Sequence, residues 1–207
     1  MSDNQTINLN IKMVIFDYAG VLTLTRDNFP FAKANHEKYD MDLMPFFEAT
    51  YTNWSLARNA KITPLEFWTG IAKAVGEENP ITLRDSIIST FPVNNEMIAL
   101  IKDLRAKGIQ IGMISNQVED WIEKFLNDSN LGSFFDCIHN SYQSNYSKPQ
   151  PQIFQEFCAK AGVEPSSCLF IDDQEKNCQA AINLGMQAIV CKDMETFQAQ
   201  FQKVMYE

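Results

Sequence analysis

The chain has 207 residues, of which 45% are hydrophobic and 21% charged, enough for one core with an inserted subdomain. Its formal net charge is −9 at pH 7 and its Lys and Arg are scattered, which argues against nucleic-acid or anionic-membrane partners. Apolar runs are too short for a membrane span or signal core, and five widely spaced cysteines favour a reducing compartment, so we expect a cytoplasmic location.

Five short apolar runs, rich in Val, Ile and Phe, predict β-strands. The runs are Lys12–Phe16, Ile109–Ile114, Phe134–His139, Ser167–Ile171 and Gln187–Cys191. They are separated by segments in which apolar residues recur three and four positions apart, as in amphipathic helices. Because the runs are almost continuously apolar, we predict an open parallel Rossmann-like α/β sheet with helices on both faces.

The strand pattern is interrupted once, after the first strand. Residues 28–92 contain no clear strand, and ten aromatic residues accumulate there. Apolar residues recur at helical spacing, and Thr63-Pro64 is typical of a helix start. We therefore predict an α/β core of residues 1–27 and 93–207, with residues 28–92 inserted as an α-helical cap. Above the strand ends, the cap would exclude water and select the substrate.

Polar groups suited to phosphate chemistry follow the predicted strands. Asp17 ends the first strand and is a candidate nucleophile for an aspartyl-phosphate, while Gly20 permits the tight turn behind it. Ser115 and Asn116 end the second strand, where a hydroxyl and backbone N–H groups can hold phosphoryl oxygens. Lys148 lies in a loop before a helix, and its ammonium suits both the carboxylate and the phosphoryl charge.

Asp172 and Asp173 are adjacent carboxylates at the end of the fourth strand. Burying them is costly unless a cation compensates their charge. Mg²⁺, a hard ion with oxygen ligands, fits this need, and Asn177 can orient the loop that follows. Ligands of open parallel sheets bind outside the carboxyl ends of the strands. The sequence therefore predicts that these residues and Asp17 belong to one site.

Together these motifs resemble those of the haloacid dehalogenase (HAD) superfamily of Mg²⁺-dependent hydrolases. The closest likeness is to small sugar-phosphate phosphatases related to the N-terminal domain of soluble epoxide hydrolase. The resemblance extends from residue 12 to about residue 192. The matching segments are Val14–Leu22, Ile114–Asn116, Ser147–Pro149, Phe170–Asp173 with Asn177, and the helix ending Gln179–Met186.

The resemblance implies a role for each site residue. Asp17 would be the nucleophile and a metal ligand, with Mg²⁺ also bound by Asp173 and by the backbone carbonyl of Ala19. Asp172 would position Lys148. Residue 19 is where the family's general acid usually stands, so its replacement by alanine removes acid-assisted departure of the leaving group. Members of this branch with a small residue at that position are still regarded as phosphatases.

General acid catalysis contributes about 10²–10⁴-fold and matters most for strongly basic leaving groups. We therefore predict an Mg²⁺-dependent phosphatase for a small phosphorylated metabolite that departs easily, such as a sugar 1-phosphate or an acyl phosphate. We expect a monomer or homodimer. Arg58 of the cap either contacts a phosphate or a sugar hydroxyl or is a solvated helix arginine, and both readings stay open.

Other readings of the sequence stay open. A phosphonate hydrolase of the same superfamily also carries alanine at this place and needs a cap lysine to form a Schiff base. A catalytically inactive binding or regulatory protein with the same fold is the second alternative. A dehalogenase would not need the paired aspartates. The cap lysines available for a Schiff base are Lys33, Lys38, Lys61 and Lys73.

Overall fold

The computed structural model describes residues 8, 10–35, 37 and 43–206, and within these ranges five strands form one parallel sheet. The strands lie in the spatial order β3-β2-β1-β4-β5. Their bounds are β1 Met13–Phe16, β2 Gln110–Ser115, β3 Cys137–Asn140, β4 Cys168–Asp172 and β5 Gln187–Val190. The predicted α/β sheet is confirmed, and the strand ends differ from the predicted ones by at most three residues. The largest difference is at β3, because Gly132–Phe134 forms a 3₁₀ turn before it.

The helices of the described ranges surround this sheet and fill the segment after β1. One start signal is confirmed in detail, since the Thr63 hydroxyl accepts the Glu66 N–H at 3.2 Å and the Glu66 carboxylate accepts the Thr63 N–H at 2.8 Å. The helices are α1 Phe29–Asn35, α2 Leu43–Ala57, α3 Pro64–Ala74, α4 Pro80–Ser89, α5 Asn95–Ala106, α6 Glu119–Ser129, α7 Ser141–Ser144, α8 Pro151–Ala161, α9 Glu175–Asn183 and α10 Met194–Tyr206.

Two apolar clusters cover the two faces of the sheet. Val14 and Phe16 of β1 pack with residues of α5, α6 and α10, whereas Met13 and Ile15 pack with residues of α8 and α9. Successive side chains of a strand point to opposite faces, so burial on both faces explains why β1 is apolar throughout. With both faces covered, the carboxyl ends of the strands are where a ligand can reach the sheet.

Helices α1–α4 lie between β1 and α5, as predicted for the inserted segment. An antiparallel bridge between Thr23 and Val93 brings the two ends of this segment together. The bridge lies close to the predicted boundaries of residues 28–92. The division into core and cap stays a prediction, and residues 36 and 38–42 of the segment lie outside the described residues.

Helix α3 of the insertion packs directly on α6 of the core. The fully buried Trp68 ring stacks on Trp121 with their centroids 5.2 Å apart, and its indole N–H donates to the Asp120 carboxylate at 3.0 Å. Trp68 is therefore a packing residue.

All five cysteines are buried and free, as expected of packing residues. In the part of the chain that the structure describes, no helix has the length and apolar character needed to cross a membrane.

Candidate active site

The carboxyl ends of β1, β2 and β4 bring three polar residues to one edge of the sheet. Strand β1 pairs with β2 on one side and with β4 on the other, and the Asp17 N–H extends the second pairing by donating to the Ile171 carbonyl at 2.8 Å. Asp17, Ser115 and Asp172 are 6%, 2% and 0% exposed. These strand ends therefore meet, as predicted from the sequence.

Lys148 is the cation at the centre of the site. Its side chain is 1% exposed, and its Nζ lies 2.6 Å from Asp17 Oδ1 and 2.8 Å from Asp172 Oδ2. The ammonium also donates to the Ile114 carbonyl at 2.8 Å. Asn116 holds the lysine backbone, because its Oδ1 accepts the Lys148 N–H at 2.8 Å and its Nδ2 donates to the Lys148 carbonyl at 2.9 Å. The amide of Asn116 therefore positions the lysine loop.

The ionisation of Asp17 and of Lys148 depends on burial and on the neighbouring charges. Burial raises the pKa of Asp17 to about 7, although the adjacent Lys148 acts to lower it and Asp172 acts to raise it. Burial acts to lower the pKa of Lys148, but the charges of Asp17 and Asp172 outweigh it and raise that pKa. The lysine therefore stays charged and favours the ionised, nucleophilic form of Asp17.

The two oxygens of Asp17 have different environments. Oδ1 accepts the Tyr18 N–H at 2.6 Å in addition to contacting Lys148. Among the described residues, no hydrogen bond engages Oδ2, so this oxygen is available to a ligand.

Both oxygens of Asp172 are occupied by protein donors. Oδ1 accepts the Gln174 N–H at 2.8 Å and the Asn177 amide at 2.9 Å, and Oδ2 accepts the Lys148 ammonium at 2.8 Å. These contacts support the predicted positioning role of Asp172 and the predicted loop-orienting role of Asn177.

Asp173 differs because it is 1% exposed and neither carboxylate oxygen has a hydrogen-bond donor among the described residues. Its Oδ2 lies 3.2 Å from Nη1 of Arg26, whose side chain is 61% exposed. Burial raises the pKa of Asp173. Oxygens of Asp17, Asp172 and Asp173 lie within 4.8 Å of one another. A buried carboxylate without donors is costly unless a cation compensates it, so these oxygens fit a hard divalent ion such as Mg²⁺.

The turn after Asp17 contains the two small residues singled out in the sequence. Gly20 has φ +83°, and a Cβ at this position would lie 3.1 Å from Asp173 Oδ2. Glycine therefore meets both the backbone conformation and the close approach of the carboxylate. Ala19 has the ordinary angles φ −80° and ψ 123°, lines the same cavity as Asp17 and offers no acid.

A cavity of about 460 Å³ lies over the site and is lined by both the core and the inserted helices. The lining contains six of the predicted core residues, namely Asp17, Ala19, Ser115, Asn116, Lys148 and Asn177. From the insertion it contains Asn28, Thr50, Tyr51, Trp54, Arg58 and Phe91. The predicted residues Gly20, Asp172 and Asp173 are not among the lining residues. The insertion thus forms part of the wall around the candidate nucleophile.

Several lining residues were not singled out from the sequence, among them Gln117, Arg26 and Lys176. Gln117 directly follows Ser115 and Asn116, and that proximity was the signal available for it. Arg26 lies in an irregular loop and Lys176 in the first turn of α9, where no sequence pattern marks them.

The three cap lysines that the structure describes are placed differently from what a Schiff base requires. Lys33, Lys61 and Lys73 do not line the cavity, and Lys38 lies outside the described residues.

Comparison with known proteins identifies the family. A family model for haloacid dehalogenase-like hydrolases matches residues 11–185, which is most of the chain. The chain belongs to the haloacid dehalogenase-like hydrolase family. The superfamily predicted from the strand-end motifs is therefore confirmed, and the catalytic roles of individual HAD residues stay predictions.

Individual relatives agree with this assignment. Hexitol phosphatase B of Escherichia coli K12 is 28% identical over 127 residues, which cover 59% of this chain and 56% of that protein. Bifunctional epoxide hydrolase 2 of Sus scrofa is 24% identical over 127 residues, covering 58% of this chain and 22% of that protein. The match thus spans about half the length of the first relative and less of the second. The likeness to these relatives agrees with the predicted branch of the HAD superfamily.

Among solved structures, a HAD family enzyme from Bacteroides thetaiotaomicron in complex with magnesium is similar over almost the whole chain. It is 25% identical with a TM-score of 0.76, and the match covers 93% of this chain and 99% of that enzyme. The predicted fold with its helical insertion is therefore that of a known HAD enzyme.

Proposed function

We propose that this chain is a Mg²⁺-dependent phosphatase that hydrolyses a small phosphorylated metabolite through an aspartyl-phosphate on Asp17. The observation that carries the proposal is the buried ammonium of Lys148 between Asp17 and Asp172. Beside it lies the carboxylate of Asp173, for which the described residues provide no hydrogen-bond donor. Membership of the HAD hydrolases, the likeness to hexitol phosphatase B and the magnesium complex of the Bacteroides enzyme support it.

The ligands proposed for Mg²⁺ are Asp17, Asp173 and the backbone carbonyl of Ala19. When bound, the ion would neutralise negative charge on the phosphoryl oxygens and on the carboxylates. Asp172 is the weaker candidate for a ligand, because Lys148, Asn177 and the Gln174 N–H already occupy its oxygens.

The proposed reaction has two displacements at phosphorus. Oδ2 of Asp17 attacks, and the bond from phosphorus to the leaving oxygen breaks with its electron pair moving to that oxygen. Lys148 holds the other oxygen of Asp17, and the Ser115 hydroxyl donates to a phosphoryl oxygen. Water then attacks the aspartyl-phosphate, so that inorganic phosphate leaves and the Asp17 carboxylate is restored.

Ala19 restricts the leaving groups that suit this reaction. Without an acid at this position the departing oxygen must take its proton from water, which is slow for a strongly basic alkoxide. Anomeric and acyl phosphates leave more easily. We therefore propose a sugar 1-phosphate or an acyl phosphate as the substrate, in a cytoplasmic protein without a nucleic-acid or membrane partner.

The test is inorganic phosphate release from a panel of sugar phosphates and acyl phosphates, with Mg²⁺ and with EDTA. We expect release that requires the metal and is lost in Asp17→Asn. Asp103→Asn is the matched control, since this carboxylate lies on the exposed face of α5 and pairs with Lys107. Release that continues in Asp17→Asn or in EDTA would contradict the proposal. No release by the folded wild type would favour the binding-protein alternative.

The leaving-group preference has its own test. A series of aryl phosphates of graded acidity should show rates that rise steeply as the departing phenol becomes more acidic, because no acid assists departure. A flat dependence would contradict the preference while leaving the phosphatase activity standing.

A further inference from the structure

The cavity is locally basic although the protein is acidic. Its lining holds four basic side chains and two acidic ones, whereas the whole chain carries a net charge of −9. The basic residues are Arg26, Arg58, Lys148 and Lys176, and the acidic residues are Asp17 and Asp27. Lys148 and Arg26 are each paired with site carboxylates. Arg58 is not paired, because the ion pairs of the described residues do not include it.

Arg58 is held in place from both of its ends. Its guanidinium lies over the Trp54 ring, 4.1 Å from the centroid, and the Trp54 indole N–H donates to Gln117 Oε1 at 2.8 Å. The Arg58 carbonyl accepts the Ser141 hydroxyl at 2.6 Å. Gln117 and Ser141 belong to the core, directly after β2 and β3. The arginine is therefore fixed against the same strand ends that carry the candidate nucleophile.

Among the described residues, this fixed cation lacks a countercharge. Burial lowers the pKa of Arg58, and no described residue provides a hydrogen-bond acceptor for its buried Nε. A desolvated charge without a partner is costly. The planar guanidinium matches carboxylate and phosphate groups, with which it forms two parallel charge-assisted hydrogen bonds. A neutral hydroxyl would leave the charge uncompensated, so an anion satisfies Arg58 better.

The same wall carries two further polar groups without partners in the part of the chain that the structure describes. Asn28 and Thr50 are 6% and 4% exposed, and neither Asn28 Oδ1 nor Thr50 Oγ1 has a hydrogen bond to a described residue. Both residues line the cavity. A polar ligand would supply the hydrogen bonds that this wall lacks.

We propose that Arg58 binds a second anionic group, a carboxylate or a phosphate, on the part of the substrate that leaves. The proposal rests on the phosphatase function and narrows it to compounds that carry another anion besides the phosphate that is cleaved. Lys148 and the proposed metal ligands then bind one anion, while Arg58, stacked on Trp54, binds the other.

Matched substrate pairs test this assignment. Phenyl phosphate bearing a 4-carboxylate is compared with phenyl phosphate, and glucose 1,6-bisphosphate with glucose 1-phosphate. Each pair differs by one anionic group, and no pair releases a strongly basic alkoxide. Arg58→Gln should lower kcat/KM for the member with two anionic groups by about 10- to 100-fold, as expected for a charged hydrogen bond. It should change kcat/KM for the other member by no more than about twofold. The loss of kcat/KM in Arg58→Lys should lie between these values, because lysine keeps the positive charge but cannot donate two parallel hydrogen bonds to the anion.

Lys61→Gln is the control for loss of a positive charge in the same segment, since Lys61 is exposed and does not line the cavity. It should leave every rate unchanged. Equal losses for both members of each pair in Arg58→Gln, or no loss, would overturn the assignment while phosphate release by the wild type keeps the phosphatase proposal.

If the wild type releases no phosphate from these compounds or from the sugar and acyl phosphates of the first panel, the phosphatase proposal fails separately. Calorimetric titration with 4-hydroxybenzoate, the product anion without phosphate, then decides the role of Arg58 without turnover. Weaker binding by Arg58→Gln than by wild type and Lys61→Gln supports an anion site. The same affinity in all three proteins, or no binding, overturns it.

Discussion

Replacement of Lys148 by methionine removes the one cation that two buried carboxylates share. Its Nζ lies 2.6 Å from Asp17 Oδ1 and 2.8 Å from Asp172 Oδ2, and with a side chain 1% exposed the pairs are poorly screened by solvent. Breaking a buried pair by removing one partner costs about 3–5 kcal/mol. Because domains are stable by only about 5–15 kcal/mol, Lys148→Met should lose a large part of the free energy of unfolding.

The assay is urea unfolding in EDTA, followed by circular dichroism, with unfolding free energies compared at neutral pH. A second substitution, Asp172→Asn, should restore part of the loss, because it removes one of the two uncompensated charges. Lys107→Met is the control. It breaks the exposed pair with Asp103, whose side chains are 40% and 50% exposed, and should cost at most about 1 kcal/mol.

The outcome that refutes this reasoning is a loss in Lys148→Met no larger than in the control. Such a loss would mean that water, and not the lysine, compensates Asp17 and Asp172. The proposed role of Lys148 in keeping Asp17 ionised would then fail as well. A loss that Asp172→Asn does not reduce would attribute the effect to packing of the lysine stem.

Three further predictions concern the metal, the missing acid and acid sensitivity. Arg26→Gln removes a cation 3.2 Å from Asp173 Oδ2, so calorimetry should show stronger Mg²⁺ binding; unchanged or weaker binding would contradict this. Ala19→Asp should raise kcat for alkyl phosphates by up to about 10²–10⁴-fold, and no gain on any substrate would show that the missing acid does not limit the rate. Burial lowers the pKa of His139 in the folded protein below its ordinary 6.5. As pH falls below 6.5, the unfolded chain therefore takes up a proton on this residue more readily than the folded one, and the free energy of unfolding decreases. The urea midpoint of His139→Gln should therefore fall less on acidification than that of the wild type, and parallel falls would refute the effect.

The sheet and the strand-end residues were predictable because both follow from local sequence. Runs that are apolar throughout specify parallel strands covered on both faces, and parallel strands end at a common edge. That rule alone brings Asp17, Ser115 and Asp172 together. The start of β3 was placed three residues early, since Phe134 is as apolar as a strand residue and belongs to a 3₁₀ turn.

Other features of the site depend on contacts between distant segments. The side-chain amide of Asn116 bonds the backbone of Lys148, 32 residues away, a contact that the sequence pattern did not indicate. Arg26 approaches Asp173 from a loop without a sequence pattern. The anchoring of Arg58 through Trp54 and Gln117 joins residues 63 positions apart. No local spacing encodes such contacts, so only the folded chain reveals them.

The central claim is that Asp17 carries the phosphoryl group during turnover. The most direct measurement is acid quenching of the full chain during turnover with Mg²⁺, followed by proteolysis and mass spectrometry of the peptide that contains Asp17. We predict a phosphoryl adduct on Asp17 that is absent in EDTA and in Asp17→Asn. Full phosphate release without an adduct on this peptide, or with an adduct on another residue, would contradict the claim.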